Sequence, residues 1–162
     1  MGDEANTRED FTALYGRHVD TVYRVCYTYL HNAADTEDAV QNVFIKLLEK
    51  PKSFESTEHE KAWLIRVATN HCKDVLKSTW MRRTDFESIP EPAVIDKKQD
   101  ETLEEVLKLP ENQRICVYLY YYEGYSTAEI AGIIERPDST VRNYLSDARK
   151  SLRERLAGFL DE

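Results

Sequence analysis

The chain has 162 residues and carries 30 acidic against 22 basic side chains, a net charge of −8. That length suits one domain or two small ones, with modest cores and no room for a large enzyme cavity. A nucleic-acid binder that works by charge alone is basic, so this balance argues against tight autonomous binding while leaving room for a local basic patch. In chain order, Phe11, Leu14, Tyr15, His18, Val22, Val25, Cys26 and Tyr29 recur at helical spacing and predict a long first helix, broken at His31-Asn32. A second helix is expected to be capped by Asp35 or Thr36, to bury Ala39, Val40, Val43, Phe44, Leu47 and Leu48, and to end at Pro51. After a polar loop, Trp63, Leu64, Val67, Ala68, Cys72, Val75 and Leu76 mark a third helix. Its start, Glu58-His59-Glu60, reads as a solvated acidic turn.

Periodicity fades from about Arg82 to Gln99, where Ile89-Pro90-Glu91-Pro92 cannot continue a helix. A short helix around Leu103–Leu109 stops at Pro110. A Tyr-rich helix follows to Glu123, with a turn at Gly124. Ser126-Thr127-Ala128-Glu129 is a capping box that opens a helix carrying Ile130, Ala131, Ile133 and Ile134. Pro137-Asp138-Ser139-Thr140 breaks that helix and caps another. There Val141, Leu145, Ala148 and Leu152 share one face, and Arg142, Ser146, Arg149 and Arg153 share a neighbouring one. A helix held to a core by one row and offering donors from the next is what a helix-turn-helix needs to enter a DNA groove.

No stretch alternates long enough to suggest a sheet. The expected fold is all-α: two small helical domains joined by a linker, the C-terminal one a helix-turn-helix, with boundaries at 1–81, 82–100 and 101–162. Cys26, Cys72 and Cys116 are far apart and sit in apolar patterns, so they read as buried free thiols of a reducing compartment. No CxxC pair or His/Cys spacing suits zinc, and neither a metal nor a cofactor is expected. No apolar run approaches membrane length and the N-terminus is polar and acidic, which points to the cytoplasm.

Two segments carry a resemblance. Asp35-Thr36-Glu37-Asp38-Ala39-Val40-Gln41-Asn42-Val43-Phe44-Ile45-Lys46-Leu47, and then Phe54 with Lys61-Ala62-Trp63-Leu64-Ile65-Arg66-Val67-Ala68-Thr69-Asn70, form the first. The second comprises Leu109-Pro110-Glu111-Asn112-Gln113-Arg114, Tyr121-Tyr122-Glu123-Gly124-Tyr125-Ser126 and Glu129-Ile130-Ala131. In order and spacing these resemble bacterial RNA polymerase sigma factors, and the two-domain form is similar to the extracytoplasmic-function group.

The resemblance implies that the second helix docks on core RNA polymerase through Asp35, Asp38, Gln41, Asn42 and Lys46. It implies that the third helix and the loop before it read the −10 element as separated strands, through Phe54, Lys61, Trp63, Arg66, Asn70, Lys73 and Lys77. Stacking and base-edge hydrogen bonds hold such strands. Asn70 reads a base edge or caps local backbone; Trp63 packs in the core or walls a stack. The last helix is expected to read the −35 element through Ser139, Thr140, Arg142, Asn143 and Ser146, with Arg149 and Lys150 on phosphates.

Here the chain departs from the family pattern. Tyr144 and Asp147 stand where arginines are common, and the turn Glu135-Arg136-Pro137 lacks a glycine. Asp147 facing DNA would repel phosphate. The Tyr118, Tyr120, Tyr121, Tyr122 run reads as packing and surface more than nucleic-acid stacking. Implied partners are core RNA polymerase, promoter DNA and an anti-sigma protein, with the free chain monomeric and no membrane involved. Three other classes compete. A lone helix-turn-helix repressor leaves the Asp35–Leu47 helix without a job. An enzyme lacks any nucleophile elbow, phosphate loop or metal signature. A DNA-free helical adaptor does not account for the outward row Arg142, Arg149 and Arg153.

Overall fold

A computed structural model describes residues 2–83 and 101–160, and every element in it is helical. Three helices build the N-terminal half: α1 (Gly2–Leu30), α2 (Ala33–Glu49) and α3 (Thr57–Arg83). Four build the C-terminal half: α4 (Glu101–Leu107), α5 (Glu111–Val117), α6 (Thr127–Ile134) and α7 (Asp138–Leu160). Helix α3 runs on to Arg83; the rest of the expected linker lies outside the described residues.

Helix α1 ends where His31 turns left-handed at φ 63, its N–H closing on the Tyr27 carbonyl at 2.9 Å. The cap of α2 is Asn32, three residues before the expected Asp35. Asn32 Oδ1 accepts from the Asp35 N–H at 2.8 Å, and Asp35 Oδ2 accepts from Asn32 Nδ2 at 2.7 Å. Asp35 therefore holds the third position of a reciprocal box, and Thr36 turns inward and is buried.

The buried row of α2 is Thr36, Ala39, Val40, Val43, Phe44 and Leu47, whereas Leu48, expected inside, is 55% exposed. On α3 the core row is Leu64, Ile65, Ala68 and Cys72. Trp63, Val67, Val75 and Leu76 are only half-buried. His18 is buried on α1 because α3 brings Glu60 to it: Glu60 Oε1 lies 3.0 Å from His18 Nε2, and Arg17 donates to the same carboxylate at 3.0 Å. Glu60 is thus a tie between helices, not a solvated turn.

After α5 the ladder widens. Over Tyr118–Tyr122 it becomes a π-helical turn, with the Glu123 N–H reaching the Tyr118 carbonyl at 3.2 Å. One extra residue per turn rotates the tyrosines. Tyr118 goes inside, its hydroxyl donating to Glu123 at 2.6 Å, while Tyr121 and Tyr122 stay exposed. Gly124, at φ 77, makes the turn that a side chain would strain.

The capping box on Ser126 forms in both directions, at 3.1 and 3.0 Å. Helix α6 then ends on Glu135, which takes the left-handed conformation (φ 57) where glycine is usual. Ile130, Ile133 and Ile134 of α6 pack with Val141, Leu145 and Ala148 of α7, completing the helix-turn-helix. Ile115, Cys116, Val117 and Leu119 are buried in near-unbroken succession because α5 is covered by α7 on one side and α1 on the other. The buried side chains of both halves form one continuous cluster.

Candidate polymerase and nucleic-acid interface

On α2 the residues Asp35, Asp38, Gln41, Asn42 and Lys46 are all exposed, opposite the buried row. Asn42 Nδ2 donates to the Asp38 carbonyl at 2.9 Å, which fixes its amide on the surface. Lys46 Nζ stands 3.5 Å from His71 Nδ1 of α3. Burial first, and then that ammonium, push the His71 pKa below its ordinary value. Sequence reasoning missed Ile45, which is 46% exposed, and misplaced Leu48. Asp38, Gln41, Asn42, Ile45 and Leu48 fall at i, i+3, i+4, i+7 and i+10, a single face. A mixed apolar and polar stripe of this kind suits a protein partner. Spacing alone gave no warning: Ala39–Val40 and Val43–Phe44 are adjacent pairs that are both buried, and Leu48 lies four residues past Phe44.

On α3, Trp63, Arg66, Asn70, Lys73 and Lys77 fall at i, i+3, i+7, i+10 and i+14, along one side of the helix. Trp63 is half-buried. Phe54 of the preceding loop packs on its ring at 5.5 Å, and Lys52 Nζ lies 5.3 Å from its centre. It is both a packing residue and a partly open wall. The loop is set by Ser56, whose Oγ accepts from the His59 N–H at 3.1 Å, and by His59 Nδ1, which accepts from the Glu55 N–H at 3.2 Å. Phe54 also lines a cavity of about 480 Å³ with Phe11, Leu14, Leu47 and Pro51; the other −10 candidates do not line it. Asn70 is exposed, and its amide makes no hydrogen bond among the described residues.

Three cations on or beside this stripe are engaged by the C-terminal half. Lys61 Nζ is 2.8 Å from Glu123 Oε2, with the two side chains only 22% and 8% exposed, and it lies 5.5 Å from the centre of the Tyr125 ring. Arg66 pairs with Glu135. Lys73 Nζ is 3.5 Å from the Ile134 carbonyl, and burial pulls its pKa below the ordinary value. Arg114 of α5 donates to the Tyr29 carbonyl at 3.1 Å, tying the end of α1 to the same junction.

On α7, Ser139, Arg142, Asn143, Ser146, Arg149 and Lys150 are exposed and Thr140 is half-buried. The two arginines are held locally. Arg142 Nε pairs with Asp138 Oδ2 one turn back at 3.3 Å. Arg149 Nε donates to the Tyr121 hydroxyl at 2.7 Å, and its guanidinium lies 5.7 and 5.8 Å from the Tyr120 and Tyr121 ring centres. A cation over an aromatic face is steadied without losing its outward charge. This tyrosine shelf was not predicted, because it depends on the π-helical turn. Tyr144 packs half-buried against the core. Asp147 is exposed between Asn143 and Lys150 on the outward face.

No group of three or more His, Cys, Asp and Glu side chains among the described residues is placed to hold a metal ion. No helix among them is long and apolar enough to cross a membrane.

Residues 14–82 match the family Sigma-70 region 2, and residues 99–152 match Sigma-70, region 4. The chain is 30% identical to the ECF RNA polymerase sigma factor SigL of Mycobacterium tuberculosis over 151 residues, 87% of this chain and 85% of that one. It is 26% identical to the ECF RNA polymerase sigma factor SigW of Bacillus subtilis, over 92% of this chain and 90% of that one. In fold it is similar to the sigma factor RpoE in complex with the anti-sigma factor NepR from Bartonella quintana, with a TM-score of 0.78 at 21% identity, covering 92% of this chain and 98% of that one.

Proposed function

The chain belongs to the extracytoplasmic-function RNA polymerase sigma factors, which bind core polymerase and direct it to promoters, and from that premise we propose how its residues divide the work. Residues 1–81 form the core-binding and −10 region, 82–100 the linker and 101–162 the −35 region. Asp35, Asp38, Gln41, Asn42 and Lys46 dock on core polymerase, with Ile45 and Leu48 supplying the apolar centre of that face. Charges there set register more than raw affinity.

Phe54, Trp63 and Asn70 hold and read the separated −10 strand, while Lys61, Arg66, Lys73 and Lys77 carry its phosphates. An amide presents both a donor and an acceptor to a base edge, and the Asn70 amide makes no hydrogen bond among the described residues. Ser139, Thr140, Arg142, Asn143 and Ser146 enter the major groove at −35, and Arg149 and Lys150 grip the backbone. The protein performs no catalytic step of its own, works in the cytoplasm and is monomeric when free. An anti-sigma protein is a further partner, in keeping with the complex in which its structural relative was crystallised.

The single observation that carries this reading is an arrangement shared by two helices, α3 and α7. Each buries one row and exposes a cationic, amide-bearing row on the other side. Reconstitution with core polymerase on a randomised promoter library tests it. The expected result is initiation from templates sharing −10 and −35 sequences. Submicromolar, sequence-specific duplex binding by the isolated chain at physiological salt, with no association with core polymerase, would overturn it.

A further inference from the structure

Two arginines of the outward row of α7 are held in chemically different ways. Arg142 pairs with a carboxylate, Asp138. Arg149 is met by two neutral side chains: its Nε–H donates to the Tyr121 hydroxyl at 2.7 Å, and its guanidinium lies 5.7 and 5.8 Å from the Tyr120 and Tyr121 ring centres. The shelf is anchored from below. Tyr120 is half-buried against the core, and Tyr121 meets its ring edge-on at 4.9 Å and 76° while staying 54% exposed. Because Tyr118–Tyr122 winds as a π-helical turn, two consecutive tyrosines reach one guanidinium on another helix. Neutral partners leave its charge uncompensated. A guanidinium has five N–H donors. With Nε–H given to Tyr121, the four on the two terminal nitrogens remain, and they form an end-on fork that fits two phosphate oxygens. A long exposed side chain loses rotamer freedom when it grips a partner, and one already laid on two rings loses less.

We propose that Tyr121, set in place by Tyr120, is a positioning residue for the −35 backbone contact: its hydroxyl and ring hold Arg149 so that the terminal edge of the guanidinium faces a DNA phosphate. The inference rests on the reading of Arg149 as a phosphate contact. Tyr121 acts through that contact and reads no base, so it sets affinity and leaves sequence preference alone.

The test uses holoenzyme reconstituted from the full chain and core polymerase, with a promoter duplex selected from the randomised library and a panel of its single-base −35 variants. Tyr121→Phe keeps the ring and removes the acceptor; Tyr121→Ala removes both. Affinity is expected to fall about threefold and about tenfold respectively, the cost of newly immobilising one long side chain, and by the same factor on every −35 variant. The salt slope should stay near the wild-type value because the charge is kept, whereas Arg149→Ala lowers it by about one. In the Arg149→Ala background, Tyr121→Phe should change nothing, as a pair that acts as a unit requires. An equal loss in both backgrounds overturns the proposal, since Tyr121 then acts without Arg149. A loss confined to one −35 base pair assigns Tyr121 to base reading and overturns it too. Unchanged or tighter binding by Tyr121→Phe, with Arg149→Ala weakening as expected, overturns the positioning role and leaves the phosphate reading standing. Arg149→Ala binding every promoter as tightly as wild type overturns both.

Discussion

Helices α3 and α7 carry the two cationic rows proposed to meet nucleic acid, and they hold their cations in opposite ways. On α7, Arg142 is steadied by Asp138 one turn away and Arg149 by Tyr121 of the adjoining π-helical turn. Both partners belong to the same half, so the row is set without help from the other half. On α3 the cations are met from the other half, by Glu123, Glu135 and the Ile134 carbonyl. The row on α7 is held from within its own half, and the row on α3 is met from the other half.

The largest expected effect sharpens the claim that both halves share one core. Leu64→Ala in α3 and Leu145→Ala in α7 each remove a nearly fully buried side chain and should each cost about 2–5 kcal/mol. Chemical denaturation followed separately by probes in each half should give coincident transitions. Transitions that separate, with only the mutated half destabilised, would show that the halves fold independently. Asp38→Arg inverts a charge on the exposed face of α2 and should weaken core polymerase binding by at least about tenfold, with helical content unchanged. Retained affinity in a co-elution titration would move the docking face elsewhere.

The contrast between the two arginines of α7 comes next. Arg142→Ala should cost about 1–3 kcal/mol of discrimination at one −35 base pair. Arg149→Ala should weaken all promoters alike and lower the salt slope by about one. A promoter-variant panel at several salt concentrations separates the two, and identical loss patterns would refute the division of roles.

The smallest effect lies at the junction. Burial, and then the nearby Arg114 guanidinium, lower the His31 pKa from 6.5 to about 4. The unfolded chain therefore binds the proton more readily than the folded one. This contribution to stability is fully present above about pH 6.5 and is lost as pH falls toward 4. His31→Asn tolerates the left-handed backbone there and should flatten that part of the stability-versus-pH curve. An unchanged slope would contradict the assignment.

The sequence makes local devices legible and distant ones not. The Ser126 box, the stop at Pro51, and the buried and exposed rows of α7 all follow from spacings of three and four residues. The cap of α2 was expected three residues late because Asp35 and Thr36 are themselves good caps, and only the reciprocal bond shows that Asn32 holds the position. The π-helical turn has no signature in a run of tyrosines, so the shelf under Arg149 was not foreseen. The Arg66–Glu135 pair spans 69 positions and the Arg114–Tyr29 tie spans 85. No periodicity reports contacts at such separations. Family resemblance named the candidates on α3 but could not show that the C-terminal half stands against them.

The most direct test of the account is permanganate footprinting of the reconstituted holoenzyme with Asn70→Ala, beside a core-binding assay. The account predicts that core binding persists while melting at −10 falls and preference among −10 variants relaxes. Normal melting with an unchanged −10 preference would contradict the claim that α3 reads the separated strand through Asn70.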